Sequence, residues 1–235
     1  MNAKEILEEL KSLGNESTRN TLMKHGAREP IYGVRIGDMK PLQKKIKKNY
    51  QLALDLYDTG VSEAMYLAGL IADETKMTKQ DLQKWAENAY WAMISEYTVP
   101  WVAAESRYGW DMGLDWIESD LDHIQASGWA TLSSLPALIS ENHLDIKKYS
   151  ELLDYVVKNI HNTPNRARYT MNAFVISVGG YITQLREKAI ETAESNGKVF
   201  VDMEGTSCRV PDAASYIAKM IERNPVPKLK KTVRC

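Results

Sequence analysis

Tyr50-Gln-Leu-Ala-Leu-Asp-Leu-Tyr-Asp-Thr-Gly-Val-Ser-Glu-Ala-Met-Tyr-Leu-Ala-Gly-Leu-Ile-Ala-Asp73 decides the architecture. Apolar residues recur at helical spacing on both sides of Gly60, which breaks the first run, and Ser62 reads as the cap of the second. Two helices joined by so short a turn lie antiparallel. Each still carries apolar surface that only further pairs can cover.

The same signature runs along almost the whole chain of 235 residues. The spacing predicts helices over 3–13, 17–25, 39–49, 50–59, 62–73, 79–95, 99–107, 110–118, 121–140, 147–160, 165–178, 181–195 and 212–223. Asn2, Asp38, Ser62, Thr78 and Asp212 read as N-caps, and Gly14, Gly26, Gly60 and Pro164 as breaks. An all-α fold of stacked helix pairs is expected, a HEAT-like or armadillo-type superhelix. No fixed period of roughly 40 to 47 residues is visible, so its repeats are degenerate. One domain is expected over 1–224, followed by a basic tail, 225–235. The tail, Lys228-Leu-Lys-Lys-Thr-Val-Arg234, reads either as a flexible phosphate-seeking end or as a plain solvated terminus.

Lys198-Val-Phe-Val-Asp-Met-Glu-Gly-Thr-Ser-Cys-Arg-Val-Pro211 departs from the helical pattern. Val199, Val201 and Met203 alternate with Phe200 and Asp202, Glu204-Gly205 supplies a turn, and Ser207 to Val210 alternate again. This predicts a small C-terminal β-hairpin packed on the helices, carrying Lys198 and Arg209 either toward a ligand or merely on a lid.

Composition excludes several classes. The apolar fraction of 44% is ordinary, and no apolar run approaches the roughly 20 residues of a spanning helix. Residues 1–14 form a charged amphipathic helix and not a signal peptide, so a cytoplasmic monomer without a membrane partner is expected. Cys208 and Cys235 make no framework and read as reduced thiols. His25, His123, His143 and His161 are scattered, so no metal and no cofactor is expected. Charge is segregated: 11 Lys/Arg against 6 Asp/Glu in 1–50, 7 against 18 in 51–158, and 12 against 7 in 159–235. Basic ends frame a polyanion site if the fold brings them onto one surface; otherwise Lys40, Lys44, Lys45, Lys47 and Lys48 are the wet face of one helix.

Thr98-Val-Pro-Trp-Val-Ala-Ala-Glu-Ser-Arg107 carries the chemistry. A proline-started helix there sets Trp101 and Glu105 one turn apart on one face. An indole beside a carboxylate suits a cationic ring, the aromatic face attracting positive charge and the carboxylate serving as counter-ion or positioning a water.

Leu22-Met-Lys-His25, Tyr32-Gly-Val-Arg35 and Met39-Lys-Pro-Leu42, followed in order by the Trp helix at 98–107, Gly128-Trp-Ala-Thr-Leu132 and Arg166 to Gly179, resemble the AlkD-like DNA alkylation repair family. The resemblance spans most of the chain. It implies a HEAT-like solenoid that holds double-stranded DNA, alkylated or branched, in a basic concave face. The founding enzymes of that family excise cationic N3- and N7-alkylpurines by hydrolysing the N-glycosidic bond. It implies catalytic roles for Trp101, for Glu105 in place of an Asp, and for Phe174 in place of a second Trp. A DNA-binding function would use the basic residues Lys40, Lys44, Lys45, Lys48, Arg166, Arg168, Lys198 and Arg209, while by the resemblance the position of a phosphate-contacting Arg is taken by Leu132. An alignment shifted by a turn makes Asp111 or Asp115, flanked by Trp110 and Trp116, the rival carboxylate. Three functions stay open: an alkylpurine DNA glycosylase, a non-catalytic binder of branched or distorted DNA, and a helical-repeat scaffold for protein partners.

Overall fold

The computed structural model describes residues 1–234, and among them helices are joined by turns and loops with no strand. In order they are α1 (Ala3–Leu13), α2 (Glu16–Lys24), α3 (Ile36–Ile46), α4 (Tyr50–Tyr57), α5 (Ser62–Ile71), α6 (Lys79–Glu87), a π-helical turn (Ile94–Thr98) continuing into α7 (Val99–Glu105), α8 (Gly109–Ile117), α9 (Asp122–Ser134), α10 (Ile146–Asn159), α11 (Asn165–Tyr181), α12 (Arg186–Asn196) and α13 (Ala213–Arg223). Cys235 lies outside the described residues.

Side-chain caps explain several helix starts. The side chains of Asn2, Thr78 and Asp212 accept from the first-turn amides of α1, α6 and α13 as expected. Asp38 and Ser62 do not cap, because α3 begins two residues earlier and Ser62 is already inside α5. The helix expected over 79–95 ends at Glu87, where the Asn88 side-chain amide takes the Lys84 carbonyl at 2.8 Å. The next helix begins as a π turn, with the Val99 amide returning to the Ile94 carbonyl. Pro100 has no N–H to donate to residue 96, and the widened turn absorbs that loss.

The inner layer is α5, the π turn with α7, α9 and α11, each packed on the next. Helices α4, α6, α8, α10 and α12 flank it, and α13 closes the end against α11 and α12. Burial follows composition: all ten residues of α5 are enclosed, whereas α10 buries only Tyr149, Leu152, Leu153 and Val156, the i, i+3, i+4, i+7 stripe of a one-faced helix. Helices α8 and α9 meet at Gly128, where a Cβ would stand 2.7 Å from the Ile117 nitrogen and 2.9 Å from the Trp116 carbonyl carbon. Gly128→Ala is therefore expected to destabilise the chain by about 1–3 kcal/mol, because backbone and not a flexible side chain has to yield. Urea unfolding checks this; an unchanged midpoint would refute the close packing.

Residues 198–211 do not form the expected hairpin. Its turn is present: Glu204 (φ 55°) and Gly205 (φ 71°) are left-handed, and the Thr206 amide donates to the Met203 carbonyl at 3.0 Å. The arms, however, bond to α11 instead of each other. Asn165 exchanges two hydrogen bonds with the Asp202 backbone, Arg168 donates to the Phe200 carbonyl and Asn172 to the Pro211 carbonyl. Those backbone groups are taken by helix side chains and are not available to a ladder between the arms.

Candidate functional site

The ends of the inner helices build two concavities. Along one edge, the π turn and the first turns of α9 and α11 contribute Glu96, Tyr97, Asp122 and Arg166 to a cleft of about 570 Å³. Along the other, the last turns of α5 and α7 and the chain after α9 line a groove of about 990 Å³. Its far wall is the C-terminal tail.

Trp101 and Glu105 sit one turn apart on α7 as the spacing required. Trp101 is only 6% exposed, edge-on to the rings of Tyr66 at 5.7 Å and Tyr97 at 5.9 Å. Glu105 faces the groove but is engaged. Its Oε1 accepts from the Thr232 hydroxyl and from the Val233 amide at 2.9 Å, and its Oε2 lies 2.9 Å from Nε of Arg234. The tail expected to be free is instead seated across the inner layer, from Arg186 beside Pro225, past Ala137 beside Lys230, to Ala72 beside Arg234.

Phe174 does not join this site. It is fully buried, stacked on Tyr149 and edge-on to Trp129, so it offers no face to a ligand. The one-turn geometry that exposes one side of α11 buries the position holding Phe174. Leu132 is likewise in the core. The rival carboxylates are exposed on α8, with Asp111 paired to Lys79 at 2.9 Å, while Trp116 is buried with its indole N–H donating to Gln83.

The expected DNA contacts divide. Lys40, Lys44 and Lys45 are exposed along α3; Lys48 is exposed but paired with Glu74. Arg209 is exposed, and Lys198 lies over the Phe200 ring. The two arginines of α11 have partners within the protein. Arg168 donates to the Thr163 and Phe200 carbonyls, and Arg166 grips Glu96 through Nε at 2.5 Å and Nη2 at 2.8 Å. Burial raises the Glu96 carboxyl above its ordinary range despite that guanidinium.

Sequence reasoning passed over Glu74, Glu96 and Tyr97 at the two concavities and Glu63 beside them, and met Arg234 only as part of the basic tail. Glu63 is 2% exposed and collects the amides of Tyr32, Gly33 and Val34 at 2.6–3.2 Å. Thus Tyr32-Gly-Val-Arg35 is a carboxylate cradle, and Gly33 (φ 82°) is needed because a Cβ would stand 2.3 Å from the Asn15 carbonyl oxygen.

A family model for DNA alkylation repair enzymes matches residues 6–209. An uncharacterized protein of Listeria innocua is 34% identical over 221 residues, covering 92% of this chain and 95% of that one. Another, from Listeria monocytogenes, is 33% identical over the same length and shares. A solved structure superposes with a TM-score of 0.91 at 36% identity, covering 100% of both chains. It is described as a new family of proteins related to the HEAT-like repeat DNA glycosylases with affinity for branched DNA structures.

Proposed function

This chain belongs to the DNA alkylation repair enzyme family, with a HEAT-like repeat fold, and from that premise we propose that it binds DNA, branched structures in preference to plain duplex, without excising bases. The observation that carries this reading is the state of Glu105. Hydrolysis of a cationic alkylpurine breaks the C1′–N bond, leaves the electron pair on the base and adds water to the sugar; a carboxylate helps only if free to hold that water and face the developing positive charge. Here Oε1 is committed to Thr232 and Val233, and the charge is paired with the Arg234 guanidinium 2.9 Å from Oε2. The second aromatic contact is missing as well, since Phe174 is enclosed. What persists is cationic surface: Lys40, Lys44 and Lys45 on α3 and Lys48 just beyond its end, with Lys198 and Arg209 on the 198–211 loop. The affinity of the solved relative for branched DNA supports the same assignment.

The test is one experiment with two readouts on purified wild-type protein. Duplexes carrying 7-methylguanine or 3-methyladenine are expected to release free base at the spontaneous rate only. A four-way junction is expected to bind more tightly than duplex, with log K falling against log salt by about 0.9 per phosphate contacted. Release above background that vanishes in Glu105→Gln would establish a glycosylase instead. Failure to bind any nucleic acid would leave the scaffold function.

A further inference from the structure

The groove over Glu105 is lined by six cationic side chains, Lys44, Lys47, Lys48, Lys230, Lys231 and Arg234, and by two carboxylates, Glu74 and Glu105. The tail supplies three of the six. With the tail seated the rim stands at +4, and without it three lysines face two carboxylates, a net of +1. Arg234 does the seating. Its side chain is 6% exposed and lies between the two acids, 2.8 Å from Glu74 and 2.9 Å from Glu105, with Nη1 donating to the Ala72 carbonyl at the end of α5 at 2.7 Å. Val233 packs against the core beside it. Lys231 is left exposed and without an ion-pair partner among the described residues, and the ammonium of Lys230 lies over the Tyr181 ring.

We propose that residues 225–234 are a strap that completes a binding rim for the DNA phosphodiester backbone, Arg234 together with Lys48 neutralising Glu74 and Glu105 while Lys230 and Lys231 complete the row begun by Lys44 and Lys47. The proposal rests on the DNA-binding reading above and adds its electrostatic determinant. Two half-buried carboxylates facing a phosphate chain repel it; a guanidinium between them, with Lys48 on Glu74, removes the repulsion, and as both charges are then spent the strap's lysines make the outward contacts. Glu74 is consistent with this arrangement: burial opposes ionisation, yet the hydrogen bond from Lys48 and the charge of Arg234 hold its carboxyl below the ordinary range. The region matched by the family model stops at residue 209, so the strap lies beyond it.

Fluorescence anisotropy with a labelled four-way junction at low salt tests it, alongside thermal unfolding of every variant. Wild-type binding tests the underlying reading; its absence overturns both. Given wild-type binding, Arg234→Ala is expected to weaken affinity about tenfold or more, because loss of the clamp exposes two carboxylates and releases two lysines. Adding Glu74→Gln and Glu105→Gln to Arg234→Ala takes the rim to +3 and is expected to recover most of that loss. A purely structural clamp would show no such rescue. Lys230→Glu with Lys231→Glu, which leaves the clamp intact, is expected to weaken binding with an unchanged Tm. Arg234→Ala binding as well as or better than wild type, or a rescue variant no better than Arg234→Ala, would overturn the strap as a binding element.

Discussion

Arg166→Ala is expected to cost about 3–5 kcal/mol of folding stability, the range for removing one partner of a buried ion pair. The Glu96 side chain is 2% exposed and that of Arg166 20%, and the pair makes two parallel contacts at 2.5 and 2.8 Å. Removing the guanidinium strands a nearly buried carboxylate in the wall of the cleft, with Asp122 and Glu204 adding repulsion. The sign of its pH dependence is fixed. Glu96 already lies above its ordinary range in the folded chain, and more so without Arg166; a carboxyl raised by folding favours the fold when protonated and loses that contribution as pH rises through the folded value. The penalty should therefore be greatest near neutrality and shrink toward the acid end of the carboxylate range. Adding Glu96→Gln should return a large part of it at neutral pH. Urea unfolding at two pH values measures this. An Arg166 that contacted DNA and nothing else would leave the midpoint unmoved and lower only the salt slope of binding.

Glu63→Ala is expected to cost about 3 kcal/mol or more. The carboxylate accepts from three successive backbone amides inside the protein, and a buried donor left without a partner costs about 1–3 kcal/mol. Glu63→Gln, which keeps one acceptor oxygen but turns an NH2 group toward donors, should fall between wild type and alanine. The consequence reaches the binding surface, because the 32–34 segment feeds α3, whose exposed side carries Lys40, Lys44 and Lys45. Denaturant midpoints and junction affinity should fall together in Glu63→Ala. A midpoint within about 0.5 kcal/mol of wild type, the scatter of ordinary surface changes, would show that the cradle is not holding this segment.

Helices and their stops were legible because the signals are local. A cap sits within three residues of the amide it serves, as Thr78 does with Asp81, and an apolar stripe repeats within two turns, as in α10. The Trp101–Glu105 pair was legible for the same reason. That Phe174 is enclosed was not legible, because which face of a helix is covered depends on the elements packed on it, here the rings of Trp129 and Tyr149. The 198–211 strands failed differently: the alternation was present, but Asn165, Arg168 and Asn172 of α11 were not visible as competitors for the same backbone groups.

The amino-acid sequence by itself determined that this chain is a succession of paired helices, that one of them sets an indole and a carboxylate a turn apart, and that its charge runs basic, acidic, basic along the chain. Only the tertiary structure decided what those charges do. It brings Arg166 to Glu96 across 70 residues of chain, and Arg234 to Glu74 across 160 and to Glu105, so the basic ends are partly spent on the acidic middle instead of facing outward together. Helical periodicity is written within a few residues, whereas an ion pair between distant residues exists only where stacked helices bring their ends together.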